Sequence, residues 1–359
     1  MTESTSSAAP DSGRPGTGFD LGYGTNGFAN HRLFDALAVI ADLGYTGVAL
    51  TLDHAHLDPF AADVREQTDR VAARLAELGL RVVVETGARY LLDPTRKHHP
   101  TLVCDDQAPR IDFLTRALRV AADLGADCVS CWSGVDEDDS GAEVTWRRLR
   151  AGLEPVLAEA DRLGVPLGLE PEPGHVIERL DQALALRADL GEPDSLRLTL
   201  DVGHCVAVEP VDAAECVRRA GDLLVNVQLD DMMPGVHEHL EFGEGRLDLA
   251  ATLAALHEVG YRGLAAVELP RHSHAAPAVA RRSLAALRAA LPDGRRGGSA
   301  PPAGVSSARP AGVSSARPAA VPPLSTGPSV VASARSSATA PADSASHQTT
   351  HRRSSGGSR

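Results

Sequence analysis

Ala41-Asp42-Leu43-Gly44-Tyr45-Thr46-Gly47-Val48-Ala49-Leu50-Thr51-Leu52 holds the junction on which the reading of the fold turns. An Ala/Leu-rich helical pattern runs into Gly44, and a short apolar run follows from Gly47. Glycine at that point supplies the left-handed backbone that ends a helix. The run after it is continuously apolar rather than alternating, as a parallel strand covered on both faces requires. The same junction recurs at Ala76–Gly79 before Val82–Glu85, Ala122–Gly125 before Cys128–Trp132, and Asp161–Gly164 before Leu167–Glu170. It returns at Asp189–Gly191 before Arg197–Asp201, Ala220-Gly221 before Leu223–Leu229, and Glu258–Gly260 before Leu264–Leu269. With Phe19–Tyr23 ahead of the first helix, the count reaches eight βα units. Eight such units in roughly 275 residues imply an α/β protein of the closed (β/α)8 barrel kind. An open doubly wound sheet is the rival, but no G-x-G-x-x-G follows the first strand.

Composition sets the limits of that barrel within the 359 residues. Residues 1–17 are rich in Ser, Thr, Gly and Pro, and residues 292–359 are Ala, Pro, Ser, Gly and Arg, with the octad repeat Pro-Ala-Gly-Val-Ser-Ser-Ala-Arg starting at Pro302 and again at Pro310. Neither end carries a periodic apolar face to offset the entropy of ordering it, so both are expected to be disordered extensions of a barrel spanning 18–291. The net charge is −13, and the tail holds eight Arg against Asp293 and Asp343, so the remainder is near −19. So acidic a body disfavours a phosphate backbone and makes nucleic acid an unexpected partner. No apolar run is long enough for a membrane span, and the N-terminus lacks the charged-then-apolar order of a signal peptide. The five cysteines, Cys104, Cys128, Cys131, Cys205 and Cys216, are too few and odd in number for a disulfide framework. A reducing cytoplasm is the expected setting, Cys128 and Cys131 being a buried pair on a strand rather than a redox couple. Self-association into a homo-oligomer stays open.

In a barrel of this kind the residues at which strands run out face the active end. Asn26 follows the first strand, Asp53, His54 and His56 the second, and Glu85 ends the third. Trp132 and Ser133 end the fourth; Glu170 and Glu172 belong to the fifth, Asp201 and His204 to the sixth, Gln228 and Asp230 to the seventh, and Glu268 to the eighth. One acid at a strand end begins a loop and means little. Glu170, Asp201 and Glu268 on one ring, without balancing Lys or Arg, repel one another, and a divalent cation resolves that repulsion.

These residues resemble the xylose isomerase-like superfamily of sugar isomerases and epimerases, which also takes in the apurinic-site endonucleases. The resemblance spans the barrel and is most specific in Leu169-Glu170-Pro171-Glu172, Leu200-Asp201-Val202-Gly203-His204, Phe242-Gly243-Glu244-Gly245 and Val267-Glu268. It implies a divalent metal, Mn²⁺, Mg²⁺, Co²⁺ or Zn²⁺, held by a Glu, an Asp, a His and a second Glu. Glu170, Asp201 and Glu268 match three of these, while Gln228 stands where the superfamily has His. An amide oxygen is harder and weaker than imidazole, which tilts the expectation toward Mn²⁺ or Mg²⁺. The resemblance also implies proton transfer by Glu170 and Glu268 through an enediolate of a sugar or sugar phosphate, with Asp201 as ligand only and His204 orienting substrate oxygens. His237 and His239 occupy positions that hold a further zinc in the endonuclease branch; here they either do so with His204 or contact substrate. His54, Glu172 and Arg271 are further candidates for substrate contact. The loop Arg89–His99 is the basic concentration near the active end, an ordinary solvated loop or a seat for a substrate phosphate or carboxylate. Two other functions compete: phosphodiester hydrolysis of the endonuclease type, and a non-catalytic barrel that binds a metabolite.

Overall fold

Each apolar run pairs in parallel with the next, and the last returns to the first. The strands are β1 (Asp20–Gly24), β2 (Gly47–Thr51), β3 (Arg81–Glu85), β4 (Val129–Trp132), β5 (Leu167–Glu170), β6 (Leu196–Asp201) and β7 (Leu224–Leu229). A short hairpin, β8 (Asp231–Met233) and β9 (Val236–Leu240), precedes the eighth barrel strand, β10 (Leu264–Val267). The barrel closes in the order β1-β10-β7-β6-β5-β4-β3-β2, with Asp20 against Leu264 on one side of β1 and Gly22 against Gly47 on the other. The structure is a computed structural model and describes residues 18–87 and 89–291. The two extensions expected from composition lie outside the described residues.

Helices α1 (Leu33–Leu43), α2 (Val64–Leu78), α3 (Ala108–Leu124), α4 (Ala142–Leu163) and α5 (Leu180–Asp189) follow β1 to β5. Two short helices, α6 (Val202–Val208) and α7 (Ala213–Ala220), follow β6; α8 (Leu249–Glu258) precedes β10 and α9 (Ala276–Ala290) follows it. The stop residues behave as the junction motif requires: Gly125, for example, takes φ 65° and returns its N–H to the last turn of α3. At Gly221 a positive φ of 53° goes with ψ −128°, so α7 ends in a 3-10 turn instead. Among the described residues no helix is long and apolar enough to cross a membrane.

Alternation along each strand divides the side chains. Val48, Leu50, Val82, Val84, Leu167, Leu169, Leu198, Leu200, Val227 and Leu229 face outward into the main core, where helix residues such as Leu37, Ile40, Leu114, Leu118 and Leu153 meet them. Full burial of each such side chain is worth roughly 1.5–3 kcal/mol. Inside the barrel a separate small plug, Ala49, Val83, Cys128, Leu264 and Ala266, fills the lower part. Leu264 fits because Gly47 has no side chain: a Cβ there would lie 2.4 Å from Leu264 Cδ1. Above the plug the inward positions turn polar, and the site begins. All five cysteines are free and buried; Cys128 belongs to the plug and Cys131 to the outer core, so the pair faces opposite ways.

Candidate active site

Glu85, Glu170, Asp201 and Gln228 are inward residues at the C-terminal ends of β3, β5, β6 and β7, and Glu268 follows β10 directly. Except for Asp201 they line one cavity of about 920 Å³, open mouth included, together with Glu172, His204, His237, His239 and Arg271. Asp201 is 1% exposed and lies against the wall. It caps α6: Oδ1 accepts from the N–H of Gly203 at 2.7 Å and of His204 at 3.0 Å. Oδ2 is buried with no hydrogen-bond donor among the described residues; it lies 3.7 Å from His204 Nε2 and 3.9 Å from His239 Nδ1. The Gly in Asp201-Val202-Gly203-His204 is a packing requirement, since a Cβ on Gly203 would fall 2.0 Å from Asp230 Oδ1.

The other acids are held by neutral donors. Asn26 Nδ2 donates to Glu268 Oε1 at 2.8 Å, Asn226 Nδ2 to Glu85 Oε1 at 2.9 Å, and Ser130 Oγ to Glu170 Oε2 at 3.3 Å. Burial pushes Glu85 and Glu268 up to about 7 and Glu172 up to about 8. Glu170 is raised as well, by burial first and then by Glu172, Glu268, Glu85 and Asp201. Asp201 goes the other way: burial opposes its charge, but His204, His239 and the helix-cap amide outweigh that and lower it. The imidazoles of His204 and His237 are pushed down to about 4, chiefly by burial, so both are neutral near pH 7.

Neutral imidazoles have a definite hydrogen, and here it can be placed. His204 Nδ1 lies 3.1 Å from the Pro171 carbonyl, which only accepts, so Nδ1 carries the hydrogen and Nε2 the lone pair. That lone pair faces His237 Nε2 at 3.1 Å. His239 Nδ1 meets Asp230 Oδ2 at 2.5 Å, the carboxylate–imidazole pairing that orients a ligating histidine. Both His237 and His239 ride on the β8–β9 hairpin, whose Pro234-Gly235 turn is its signal in the sequence. Asp231 pins the segment after the hairpin by accepting from the N–H groups of Gly243, Gly245 and Leu247 at 2.9, 2.9 and 2.8 Å. This accounts for Phe242-Gly243-Glu244-Gly245, because a Cβ on Gly245 would meet Asp231 Oδ1 at 2.2 Å.

Of the residues anticipated for the site, His54 is not brought to the cavity. Its side chain is 68% exposed and paired with Asp58 at 2.9 Å, because the loop after β2 turns it outward while Asp53 anchors the turn through the N–H groups of Ala55 and His56. Arg271 reaches the mouth and holds Glu238 at 2.5 Å. Asn226 was not singled out, although it shares the inward face of β7 with Gln228 two residues on. His98 and His175, which flank Trp132 with ring centroids 5.2 and 5.1 Å away, come from loops and left no pattern in the sequence.

The donors fit a divalent cation. Asp201 Oδ2 and Gln228 Oε1 are both buried without a hydrogen-bond partner among the described residues, and mutually repelling acids surround them. Three sets of ligand atoms lie within 4.8 Å of one another: Asp201, His239 and Glu268; Glu170, Glu172 and His204; and His204, His237 and His239. The four ligands implied by the resemblance are thus divided, Asp201 and Glu268 grouping with His239, and Glu170 with Glu172 and His204. Gln228 stands beside Asp201 in the β6–β7 register.

Comparison with known proteins agrees with this architecture. The family model described as xylose isomerase-like TIM barrel matches residues 37–290, and the chain belongs to that family. It is 27% identical over 243 residues to L-ribulose-5-phosphate 3-epimerase UlaE of Shigella flexneri, covering 66% of this chain and 81% of that one. Among solved structures it resembles 3-keto-D-glucoside 4-epimerase YcjR of E. coli, with TM-score 0.61 at 18% identity over 76% of this chain and 99% of that one. It is also similar to IOLI protein with a bound zinc atom, with TM-score 0.60 at 18% identity over 77% and 100% of the two chains. The fold is that of the sugar and sugar-phosphate isomerases and epimerases it resembles, and it carries potential metal-ligand clusters.

Proposed function

We propose that this protein is a divalent-metal-dependent ketose epimerase or isomerase that moves a proton next to a carbonyl, with Glu170 and Glu268 as the proton carriers. The observation that carries the reading is the pair itself. The two carboxyls stand at the ends of strands three places apart in the eight-membered ring and reach one cavity; burial raises both, Glu268 up to about 7. Groups that approach from separate sides can remove a proton from one face of a carbon and return one to the other.

Glu170, Asp201 and Glu268 are the acidic donors for a cation, with Gln228 Oε1 and the His239 imidazole as the neutral donors beside them. When bound, a divalent cation supplies Lewis acidity, drawing electrons from the substrate carbonyl so that the neighbouring C–H loses its proton more readily. Glu268, steadied by Asn26, and Glu170, steadied by Ser130, then take up and deliver that proton. His204 and His237, paired through their Nε2 atoms, border the same space with Glu172 and orient substrate oxygens there. The oxygen-rich donors favour Mn²⁺ or Mg²⁺ over Zn²⁺, and we place the protein in the cytoplasm. Metal analysis of the purified protein, followed by a solvent-deuterium exchange screen over ketoses and their phosphates, tests the proposal. Absence of exchange into any ketose with the cation bound refutes it.

The His204–His237–His239 set supports a second reading, phosphodiester hydrolysis of the apurinic-site endonuclease kind, which needs more than one metal ion. Two or three zinc ions per chain and cleavage of abasic DNA would favour it; the acidic body argues against it.

A further inference from the structure

We infer that the mouth of the cavity is a phosphate seat, in which Arg89, Lys97 and Arg271 bind a terminal phosphate on the ketose whose other end reaches the acidic floor. The inference rests on the epimerase reading and adds the substrate class to it.

Arg89 and Lys97 are brought together by the loop that joins them. The N–H of His98 donates to the Arg89 carbonyl at 2.6 Å, closing the loop so that Lys97 stands beside Arg89. The rest of the loop is braced from within. Asp93 Oδ1 accepts from the N–H groups of Thr95 and Arg96 at 2.8 and 3.1 Å, Arg96 is engaged with Glu137, and the buried Arg110 donates to the His98 carbonyl at 3.0 Å. The loop's other cation is therefore committed to structure. Arg89 and Lys97 are not: among the described residues neither has an ion pair within 4 Å, and both line the cavity. Arg271 enters from the segment after β10, three residues beyond Glu268, and spends one nitrogen on Glu238.

Three cations at one mouth repel each other. Desolvation first, then Arg89 and Arg271, hold the Lys97 ammonium below its ordinary value, and Glu172 alone draws it back. An anion between them converts that repulsion into attraction. A carboxylate is satisfied by a single bidentate guanidinium, whereas donors converging from two loops suit the three terminal oxygens of a phosphate dianion. The floor supplies the rest of the argument. The proposed cation ligands and proton carriers stand at the deep end, among Glu85, Glu170, Glu172 and Glu268, so a phosphate held at the rim leaves the reacting carbons of the substrate turned toward them.

The test uses the full chain with its cation and pairs of ketoses that differ only by a terminal phosphate, alongside ketoses bearing a terminal carboxylate. Phosphorylated ketoses are expected to have the higher kcat/KM. Lys97→Ala and Arg89→Ala should raise KM for them about 10- to 100-fold, the usual scale for one lost charge-assisted contact, with a smaller change in kcat. Lys97→Arg should recover most of the loss. Inorganic phosphate, titrated by calorimetry, provides a probe that needs no turnover, and its binding should weaken in the same variants. Preference for free or carboxylated ketoses overturns the phosphate seat and leaves the epimerase reading standing. Phosphate binding that depends on Lys97, with no ketose turned over, supports the seat and removes the epimerase reading. Phosphate binding indifferent to Lys97 and Arg89 overturns the seat.

Discussion

Replacing Glu268 by Gln removes a proton acceptor from the cavity floor and leaves its shape nearly intact. The hydrogen bond from Asn26, 2.8 Å to Oε1, survives, because an amide oxygen accepts as a carboxylate oxygen does. The loss there is confined to the charge on one bond, about 1 kcal/mol. Burial already holds Glu268 up to about 7, so the folded chain loses little by having a neutral group in its place. The kinetic loss is of another order. Removing a general base costs roughly 10²–10⁴ in rate, about 3–5 kcal/mol at the transition state. Glu170→Gln, where Ser130 remains as donor at 3.3 Å, should behave alike. Since the two carboxyls act from different sides, one variant should still wash solvent deuterium into a ketose that it no longer converts. Turnover, deuterium incorporation by NMR and bound metal are measured on the same samples. Near-normal turnover in either variant with metal bound refutes the assignment and moves the role to Glu85, Glu172 or His204.

Gln228→His places an imidazole beside Asp201 and should raise zinc affinity at least tenfold, on the order expected when nitrogen replaces an amide oxygen; competition titration against a chelator checks it, and unchanged affinity places Gln228 outside the ligand set. The thermal shift produced by Mn²⁺ should grow from pH 6 to pH 8. Glu268, a proposed ligand held up to about 7, carries a proton at pH 6 that a cation must displace and has largely released it by pH 8; equal shifts at both values contradict this. Gly203→Ala should destabilise the fold by about 1–3 kcal/mol, read from urea melts, because its Cβ would sit 2.0 Å from Asp230 Oδ1.

The barrel was legible in the sequence because its evidence is local. A helix stop and the apolar run after it lie within about ten residues, and strand alternation alone puts Glu85, Glu170, Asp201 and Gln228 on the inward face. Boundaries were less legible: the eighth strand, read to Leu269, stops at Val267. What stands around each acid was decided by tertiary structure. Asn26 reaches Glu268 across 242 residues and Asn226 reaches Glu85 across 141, distances over which no local pattern operates. His54 and His239 look alike in sequence, each in a His-x-His after a strand. One is turned to solvent by an Asp-anchored turn, and the other is folded by a hairpin onto Asp230. Local alternation selects which residues face inward, and contacts between distant segments decide which loop leans over them.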